Sequence, residues 1–371
     1  MTTRPLPAEE AWRTLAARAI EPNPFFTPAV LAAALQAFGD SRIKVATAFD
    51  DVGRLSALAP VHRVRLGRVA PAIAVWTHLY GPLGTPLIDR DNVDTSIAAL
   101  VAAMEGERAG RNILLFPDLP LDGAVAAALR RHAGAAGRPV AIVGGHERAV
   151  LPCPSSFDVR GALPPKTRKE LGRQLRRLNE IGPVSFSTAS TIEALAEALE
   201  AFLRLEQAGW KGTRGTALAL RPDALAFVRS VIAGAAAGAV RIDALAVGGS
   251  PVATLVSLRS QGTLVTWKIA YDETLARFSP GVQLMLAASE SFAGEPALAL
   301  VDSLASADHP MIDRLWPARQ SVGTFTMGPD RGGAPLAAGL LLARTEAKAR
   351  AKLRVLIRRR PSPTKAKEET A

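Results

Sequence analysis

Residues that cross-link a chain or bind metals are scarce in this sequence. Among 371 residues there is one cysteine, Cys153, and there are only five histidines. A single cysteine excludes an internal disulfide and any metal site with several cysteine ligands. Cys153 lies between two prolines with no histidine close by in sequence, so we interpret it as a core or loop residue and not as a catalytic thiol.

Long apolar runs are missing too. The most apolar stretches, 231–240 and 336–343, are far shorter than the about 18 residues that a membrane-spanning helix needs. The first ten residues lack the apolar segment of a secretory signal. We therefore expect a soluble, cytoplasmic protein. Aromatic residues make up only 5% of the chain, so we expect its core to consist mainly of Ala, Leu and Val.

The net charge of +11 is concentrated in two segments. Residues 165–178 contain six basic residues and one acidic residue, and residues 344–371 contain ten and three. These segments together carry +12, which leaves −1 for the rest of the chain. This distribution does not favour a DNA-binding surface spread over the fold. The tail is either solvated or contacts an anionic membrane surface or an acidic partner.

The order of predicted elements indicates two similar halves. In the second half, helical patterns precede three alternating strands, and a loop, helix, strand, helix and strand follow. The predicted helices are 164–179, 191–209, 222–235, 281–292 and 309–316. The predicted strands are 184–188, 239–247, 252–258, 263–270, 297–302 and 322–327. The first half repeats the pattern from residue 28 to residue 143. We predict an α/β (α+β) fold of two domains, 1–155 and 156–332, each with a mixed, mostly antiparallel sheet flanked by helices. A basic helix and an unfolded tail would follow over 333–371.

One loop in the second half has the features of a phosphate-binding turn. Ser279-Pro280-Gly281 follows the third strand and opens a helix. The first turn of a helix has unpaired N–H groups and the positive end of the helix dipole, which together suit a pyrophosphate. The same three residues also occur at ordinary helix starts. The prediction of a phosphate-binding turn therefore depends on where they lie in the order of strands, after the third strand.

Several stretches resemble a known family. They are 206–212 (EQAGWKG), 268–273, the Ser-Pro-Gly turn, 302–303, 308–310 and 23–26 (NPFF). Together they resemble the GNAT acetyltransferases associated with cellulose and exopolysaccharide genes (CelD-type), which are relatives of the FemAB-like tandem-GNAT proteins. The general GNAT pattern of Gln or Arg, two residues, Gly, any residue, then Gly or Ala is absent, because Arg277 and Gly281 are one residue too far apart.

The resemblance implies an acyl-CoA, such as acetyl-CoA, as co-substrate, with no metal. It implies direct attack of an amine or hydroxyl on the thioester, with a sugar, a glycan precursor or a small amine as acceptor and a role in polysaccharide biosynthesis. By this resemblance the CoA-binding residues are Arg277, Ser279, Pro280, Gly281, Val282 and Gln283.

Candidates for the proton acceptor are Glu206, Asp302 and His309, each of which has an equally ordinary role as a cap or a solvated side chain. Candidate acceptor contacts are Trp210, Lys211, Tyr271 and Asp272. Two other functions remain open. One is aminoacyl transfer from tRNA, as in FemAB-like enzymes, although the long helical arm that many of those enzymes insert is not apparent. The other is a non-catalytic role as an assembly factor for a polysaccharide synthase.

Overall fold

The computed structural model describes residues 6–106, 110–153, 157–330 and 333–359. Its helices are α1 (Glu9–Arg18), α2 (Pro28–Phe38), α3 (Val93–Glu105), α4 (Ala124–Ala135), α5 (Pro165–Ile181), α6 (Ile192–Ala208), α7 (Trp210–Thr213), α8 (Pro222–Ala233), α9 (Pro280–Ala293), α10 (Ile312–Leu315) and α11 (Ala334–Arg359). Its strands are β1 (Lys44–Phe49), β2 (Leu55–Leu66), β3 (Ala70–Val75), β4 (Leu87–Ile88), β5 (Ile113–Pro120), β6 (Val140–Pro152), β7 (Val184–Ala189), β8 (Val240–Val247), β9 (Ser250–Ser260), β10 (Thr263–Tyr271), β11 (Leu300–Asp302) and β12 (Ala318–Met327). The predicted unfolded tail, 361–371, lies outside the described residues.

Helices with strong start signals form where they are predicted. Thr191 caps α6, because its Oγ1 accepts a hydrogen bond of 3.4 Å from the Ala194 N–H. α5 begins at a proline and buries Leu171 and Leu178 while its basic residues face outward. Within the described residues, no helix is both long and apolar enough to cross a bilayer.

Some predicted elements differ from the observed ones. The Gly-rich stretch after α6 forms the short helix α7 instead of a loop, and α1 is an additional helix near the start of the chain. β6 extends to Pro152, well beyond the predicted end at Val143, because its second part pairs with strands far away in sequence. A single-sequence pattern does not detect such pairing.

All strands belong to one sheet, whose main path runs β1-β2-β3-β5-β12-β6-β11-β10-β9-β8-β7. In each half a meander of antiparallel strands leads to one parallel pair, β3 with β5 and β10 with β11. The predicted fold of two GNAT-like halves in an α/β arrangement is therefore confirmed, but the two sheets are joined into one.

The join is an exchange of strands between the halves. β6, from the first half, pairs with β11, whereas β12, from the second half, pairs with β5. β6 and β12 also pair with each other along most of their length. The pairing crosses the predicted boundary at 155/156, which itself falls among residues outside the described ranges.

Helices cover both faces of the sheet. The largest apolar core includes α1 to α4 from the first half and α6 and α8 from the second. A second core lies under α5, α9 and α10, and α11 packs on a third, smaller one. Because the largest core draws residues from both halves, we expect them to unfold together.

Candidate active site

A gap opens in the sheet where β10 and β11 separate. The two strands pair at only three positions, from Thr263 opposite Leu300 to Val265 opposite Asp302. β10 continues for six more residues, to Tyr271, without β11 beside it. A cavity of about 270 Å³ lies at this fork, lined by residues 266–269 of β10 and by 303–306 and His309 beyond β11. We call this cavity the β10/β11 cleft.

The corresponding position in the first half is closed. β3 and β5 also pair at only three positions. Beyond them the Gly84 N–H donates a hydrogen bond of 2.9 Å to the Pro117 carbonyl of β5. Asn23 holds this loop from the other side, because its amide donates to the carbonyls of Leu83 and Thr85. The Asn-Pro-Phe-Phe stretch therefore helps to close the first half, and only the second half keeps an open cleft at this place in the sheet.

The helix α9 begins at one end of β10. Ser279 adopts the left-handed conformation, with φ 53° and ψ 50°, and its carbonyl accepts hydrogen bonds from the N–H groups of Val282 and Gln283. Pro280 has no N–H, and within the described residues the Gly281 N–H has no acceptor. That N–H, at the positive end of the helix dipole, is a suitable donor to a phosphate oxygen.

Gly281 lies against the ring of Tyr271. A Cβ at this position would be 3.2 Å from Tyr271 Cδ1, which is tighter than ordinary contact. A larger side chain would have to displace the tyrosine or project over the helix start. The open cleft, the free N–H and the small residue at the first turn all fit an extended pantetheine with a pyrophosphate, so the described residues are compatible with acyl-CoA.

A β-bulge alters the side chains presented by β10. The register with β9 shifts between Thr266 and Lys268, so Trp267 is an extra residue. Trp267 and Lys268 both reach Tyr80: the Trp267 indole donates to the Tyr80 carbonyl at 2.9 Å, and Lys268 Nζ lies 5.0 Å from the Tyr80 ring centroid. Regular alternation would have placed these two side chains on opposite faces.

Lys268 is a mostly buried cation beside this aromatic pair. Its Nζ lies 5.7 Å from the Trp267 ring centroid, and within the described residues it forms no salt bridge. Burial and, to a smaller extent, the positive charge of Lys211 lower the pKa of Lys268 to about 8, while the charge of Glu206 opposes this shift. Lys268 lies in the stretch 268–273 that carries the family resemblance, but no local pattern marks it as a functional residue. The bulge that orients its side chain has no local sequence signal.

Glu206 and Lys211 form an ion pair close to Lys268. Lys211 Nζ lies 2.7 Å from Glu206 Oε1, and the other Glu206 oxygen accepts from the Leu218 N–H at 2.7 Å. The Glu206 side chain is almost completely buried, so these two donors offset the desolvation of its charge. Glu206, Lys211, Trp210 and Tyr271 also line one small pocket on the α6 side of β10.

Asp302 and His309 occupy the other side of the cleft. Asp302 is buried with Arg148 of β6, at 2.7 Å, and also accepts from the Leu304 N–H. Burial raises the pKa of Asp302, while the Arg148 cation opposes that rise. His309 lines the cleft, and its Nδ1 accepts from the N–H groups of Met311 and Ile312, both at 3.4 Å. This pattern places the proton of a neutral His309 on Nε2.

The remaining candidates have local partners. Asp272 caps the following 3-10 turn (Glu273–Phe278) by accepting from Thr274. The half-exposed Trp210 donates its backbone N–H to Glu273, and the Arg214 guanidinium lies 5.0 Å from the centre of its ring. Burial raises the pKa of the Tyr271 hydroxyl, and the charge of Glu273 adds to the rise.

Two of the predicted CoA-binding side chains already have contacts within the protein. Gln283 is buried, and its amide donates 2.8 Å to the Leu171 carbonyl, which ties α9 to α5. Arg277 is exposed and lies over the Phe278 ring. The structure thus gathers Glu206, Lys211, Trp210 and Tyr271 on one side of β10 and His309 at the cleft on the other. Gly281 lies against the Tyr271 ring, and Asp302 is buried beside Arg148 and does not line the cleft.

Comparison with known proteins relates this arrangement to described families. Residues 165–309 match the family model described as an acetyltransferase (GNAT) domain. None of the curated proteins matches the sequence as a relative.

Solved structures share the fold at low sequence identity. FemX has a TM-score of 0.56 at 10% identity, over 88% of this chain and 97% of FemX. The C-terminal domain (DUF2156) of a putative lysylphosphatidylglycerol synthetase from Agrobacterium fabrum has a TM-score of 0.54 at 12% identity, over 91% of this chain and 95% of that one. A conserved protein of unknown function from Bacteroides thetaiotaomicron has a TM-score of 0.53 at 12% identity, over 86% and 97%. At these identities the likeness concerns the fold.

Proposed function

We propose that this protein transfers an acyl group from acyl-CoA to an amine or hydroxyl acceptor, because residues 165–309 match the family model described as an acetyltransferase (GNAT) domain. The observation that supports this most strongly is the β10/β11 cleft, which is open in the second half and closed in the first. The cleft lies beside β10, and α9 begins after the turn that follows β10. These two parts of the site are therefore consecutive along the chain, as the binding of an extended acyl-CoA molecule requires.

Each part of the site has a distinct task in this proposal. A bound acyl-CoA would supply the thioester carbonyl. The Gly281 N–H and the α9 dipole hold the pyrophosphate. The cleft holds the acyl end, and the Lys268 cation stabilises the negative charge that develops on the acyl oxygen during attack. No enzyme nucleophile takes part: the acceptor atom would bond to the acyl carbon, the carbon–sulfur bond would break, and CoA would leave as its thiolate, which takes up one proton.

The acceptor approaches from the α6 side in this proposal. Glu206, Lys211, Trp210 and Tyr271 line that side, whereas Lys268 lines the β10/β11 cleft. Of the three candidate proton acceptors only Glu206 lines this pocket, whereas His309 lines the β10/β11 cleft and Asp302 lies buried beside Arg148. We therefore assign proton removal from the acceptor to Glu206. A Glu206→Gln variant should lose at least about a hundredfold in kcat, and an unchanged kcat would refute the assignment.

Calorimetric titration with acetyl-CoA tests the proposal directly. The wild type should bind, and Gly281→Glu should not, because its side chain brings bulk and negative charge to the phosphate seat. Gly294→Glu is the matched control: it places the same charge at the opposite, exposed end of the same helix and should bind like the wild type. A wild type that binds neither acetyl-CoA nor longer acyl-CoA thioesters would overturn the proposal.

Aminoacyl transfer from tRNA is a second candidate. The shared fold with FemX and the row of arginines on α5, beside the start of α9, favour it. Retention of the protein on immobilised aminoacyl-tRNA at about 0.2 M salt, without acetyl-CoA binding in calorimetry, would favour this candidate over CoA chemistry.

A further inference from the structure

A second cavity lies next to the start of α9, between α5 and the 3-10 turn that precedes α9. Its volume is about 440 Å³, within the range of about 300–1,000 Å³ typical of small-molecule sites. Arg173 and Arg177 of α5 and Arg277 of the 3-10 turn line it, together with Glu180, Ile181 and Phe278. We call it the arginine cavity. The proposed function does not assign it a ligand.

The position of the arginine cavity relative to α9 is fixed by buried contacts. Leu171 and Leu178 anchor α5 in the second core, and the Gln283 amide of α9 donates to the Leu171 carbonyl. Phe278, which forms part of the cavity wall, is buried and directly precedes Ser279. The cavity wall at Phe278 and the Gly281 seat are thus three residues apart in the chain, on elements that buried contacts hold together.

The chemistry of the cavity suits a phosphorylated aromatic group. Three guanidinium groups provide planar, forked donors that match phosphate oxygens. Within the described residues Arg177 and Arg277 form no salt bridge, whereas Arg173 pairs with Glu170 at 2.5 Å. Phe278 and Ile181 provide an apolar surface for a flat ring, and the Arg277 guanidinium lies 4.7 Å from the Phe278 ring centroid.

We propose that the arginine cavity binds the 3′-phosphoadenosine end of CoA, with Arg173 and Arg177 contacting the 3′-phosphate. This inference rests on the proposed function, because it extends the ligand that the Gly281 seat and the cleft would hold. It assigns the basic residues of α5 a role in cofactor recognition beyond that of a solvated helix face.

Competition between acetyl-CoA and 3′-dephospho-acetyl-CoA tests the proposal, because these two molecules differ only in the 3′-phosphate. For the wild type we expect about tenfold weaker binding and a correspondingly higher KM for the dephospho form, with kcat unchanged. In Arg173→Gln/Arg177→Gln the preference should fall below about threefold, because acetyl-CoA binds more weakly and the dephospho form does not.

A matched double variant separates local contact from general charge. Arg168→Gln/Arg176→Gln removes the same charge from exposed positions of the same helix that do not line the cavity, and it should keep the wild-type preference. Equal loss of preference in both double variants would overturn the proposal, and so would a wild type that binds both thioesters equally well while transferring acetyl groups. A wild type that binds neither thioester would instead refute the proposed function itself.

Discussion

Lys268 is a cation held in a mostly buried place beside the aromatic rings of Tyr80 and Trp267. Its pKa of about 8 lies below the ordinary lysine value of 10.5, so the folded state binds a proton less readily than the unfolded state. Between pH 8 and pH 10.5 the unfolded chain therefore holds more protons at this site, and the stability of the fold rises with pH. Below pH 8 the buried Lys268 side chain is charged in the folded state, and in this range it lowers the free energy of unfolding most.

Replacement of this charge should make the protein more stable and less active. We expect Lys268→Met to raise the free energy of unfolding by on the order of 2 kcal/mol at pH 7, with the gain shrinking towards pH 10.5. Acetyl transfer by the same variant should fall, since the positive charge near the acyl oxygen is lost. Urea unfolding at pH 7 and pH 10, with an activity assay at pH 7, measures both effects. A destabilised Lys268→Met variant at pH 7 would contradict the prediction.

Side-chain roles were less predictable from sequence than positions along the chain. The start of α9 at Pro280 and the small residue at Gly281 follow from local rules for helix N-termini. Lys268 and Arg148 did not emerge, because each depends on an environment built from distant segments: Lys268 on Tyr80, and Arg148 on Asp302. Composition and periodicity contain no information about such partners.

The ion pair of Arg148 and Asp302 joins two elements from different halves, β6 and β11. Both side chains are nearly completely buried. Arg148→Met would leave the Asp302 carboxylate without its cation in a buried place, so we expect a loss of about 3–5 kcal/mol in stability at pH 7. The loss should be smaller at pH 4, where protonation of Asp302 removes the unpaired charge, since burial already raises the pKa of Asp302.

Chemical denaturation of Arg148→Met and Arg148→Met/Asp302→Leu checks this prediction. The double variant should recover part of the lost stability, because it removes the unpaired charge as well. Equal losses in the single and double variants would mean that packing, and not the ion pair, determines the effect.

In the first half, the position that corresponds to the β10/β11 cleft is closed because the loop at Gly84 lies close to the strand β5. A Cβ on Gly84 would lie 2.4 Å from the Pro117 carbonyl oxygen of β5, so Gly84→Ala must displace the loop or the strand. We expect a loss of about 1–3 kcal/mol. Gly134→Ala is the control, because no atom lies within 4 Å of the added Cβ and alanine favours the helix α4. Thermal unfolding should show a lower Tm for the first variant and an unchanged or higher Tm for the second.

The sequence predicted the type and the order of the helices and strands better than it predicted which strands pair with each other. Alternating and helical patterns reveal β8 to β10 and the helices α5, α6, α8 and α9, because each reflects contacts with a single apolar face. They do not reveal that β6 extends to Pro152 or that β12 inserts beside β5, since pairing between distant strands leaves little local pattern.

The strands of both halves belong to one continuous sheet, so we expect that neither half folds alone. A fragment of residues 1–155 lacks β12 next to β5, and a fragment of 156–371 lacks β6 next to β11. Each fragment would expose an unpaired strand edge and part of the shared core. We expect the separate fragments to be unfolded or aggregated and the coexpressed pair to form a 1:1 complex.

Circular dichroism and size-exclusion chromatography of the two fragments, alone and coexpressed, check this expectation. The intact chain should unfold in a single transition. A cooperatively folded monomer of residues 156–371 would show that the exchanged strand β6 is dispensable for the acetyltransferase half.

The exchanged strands also determine when the protein becomes folded during its own synthesis. β5 ends at Pro120, but its partner β12 begins at Ala318, so about 200 residues must be added between them. At about 5–20 residues per second this takes about 10–40 s, during which the nascent first half has an open edge at β5. Neither half can be completed before the ribosome has made most of the chain. A chain terminated anywhere before β12 would therefore leave the ribosome as a target for chaperones or proteases.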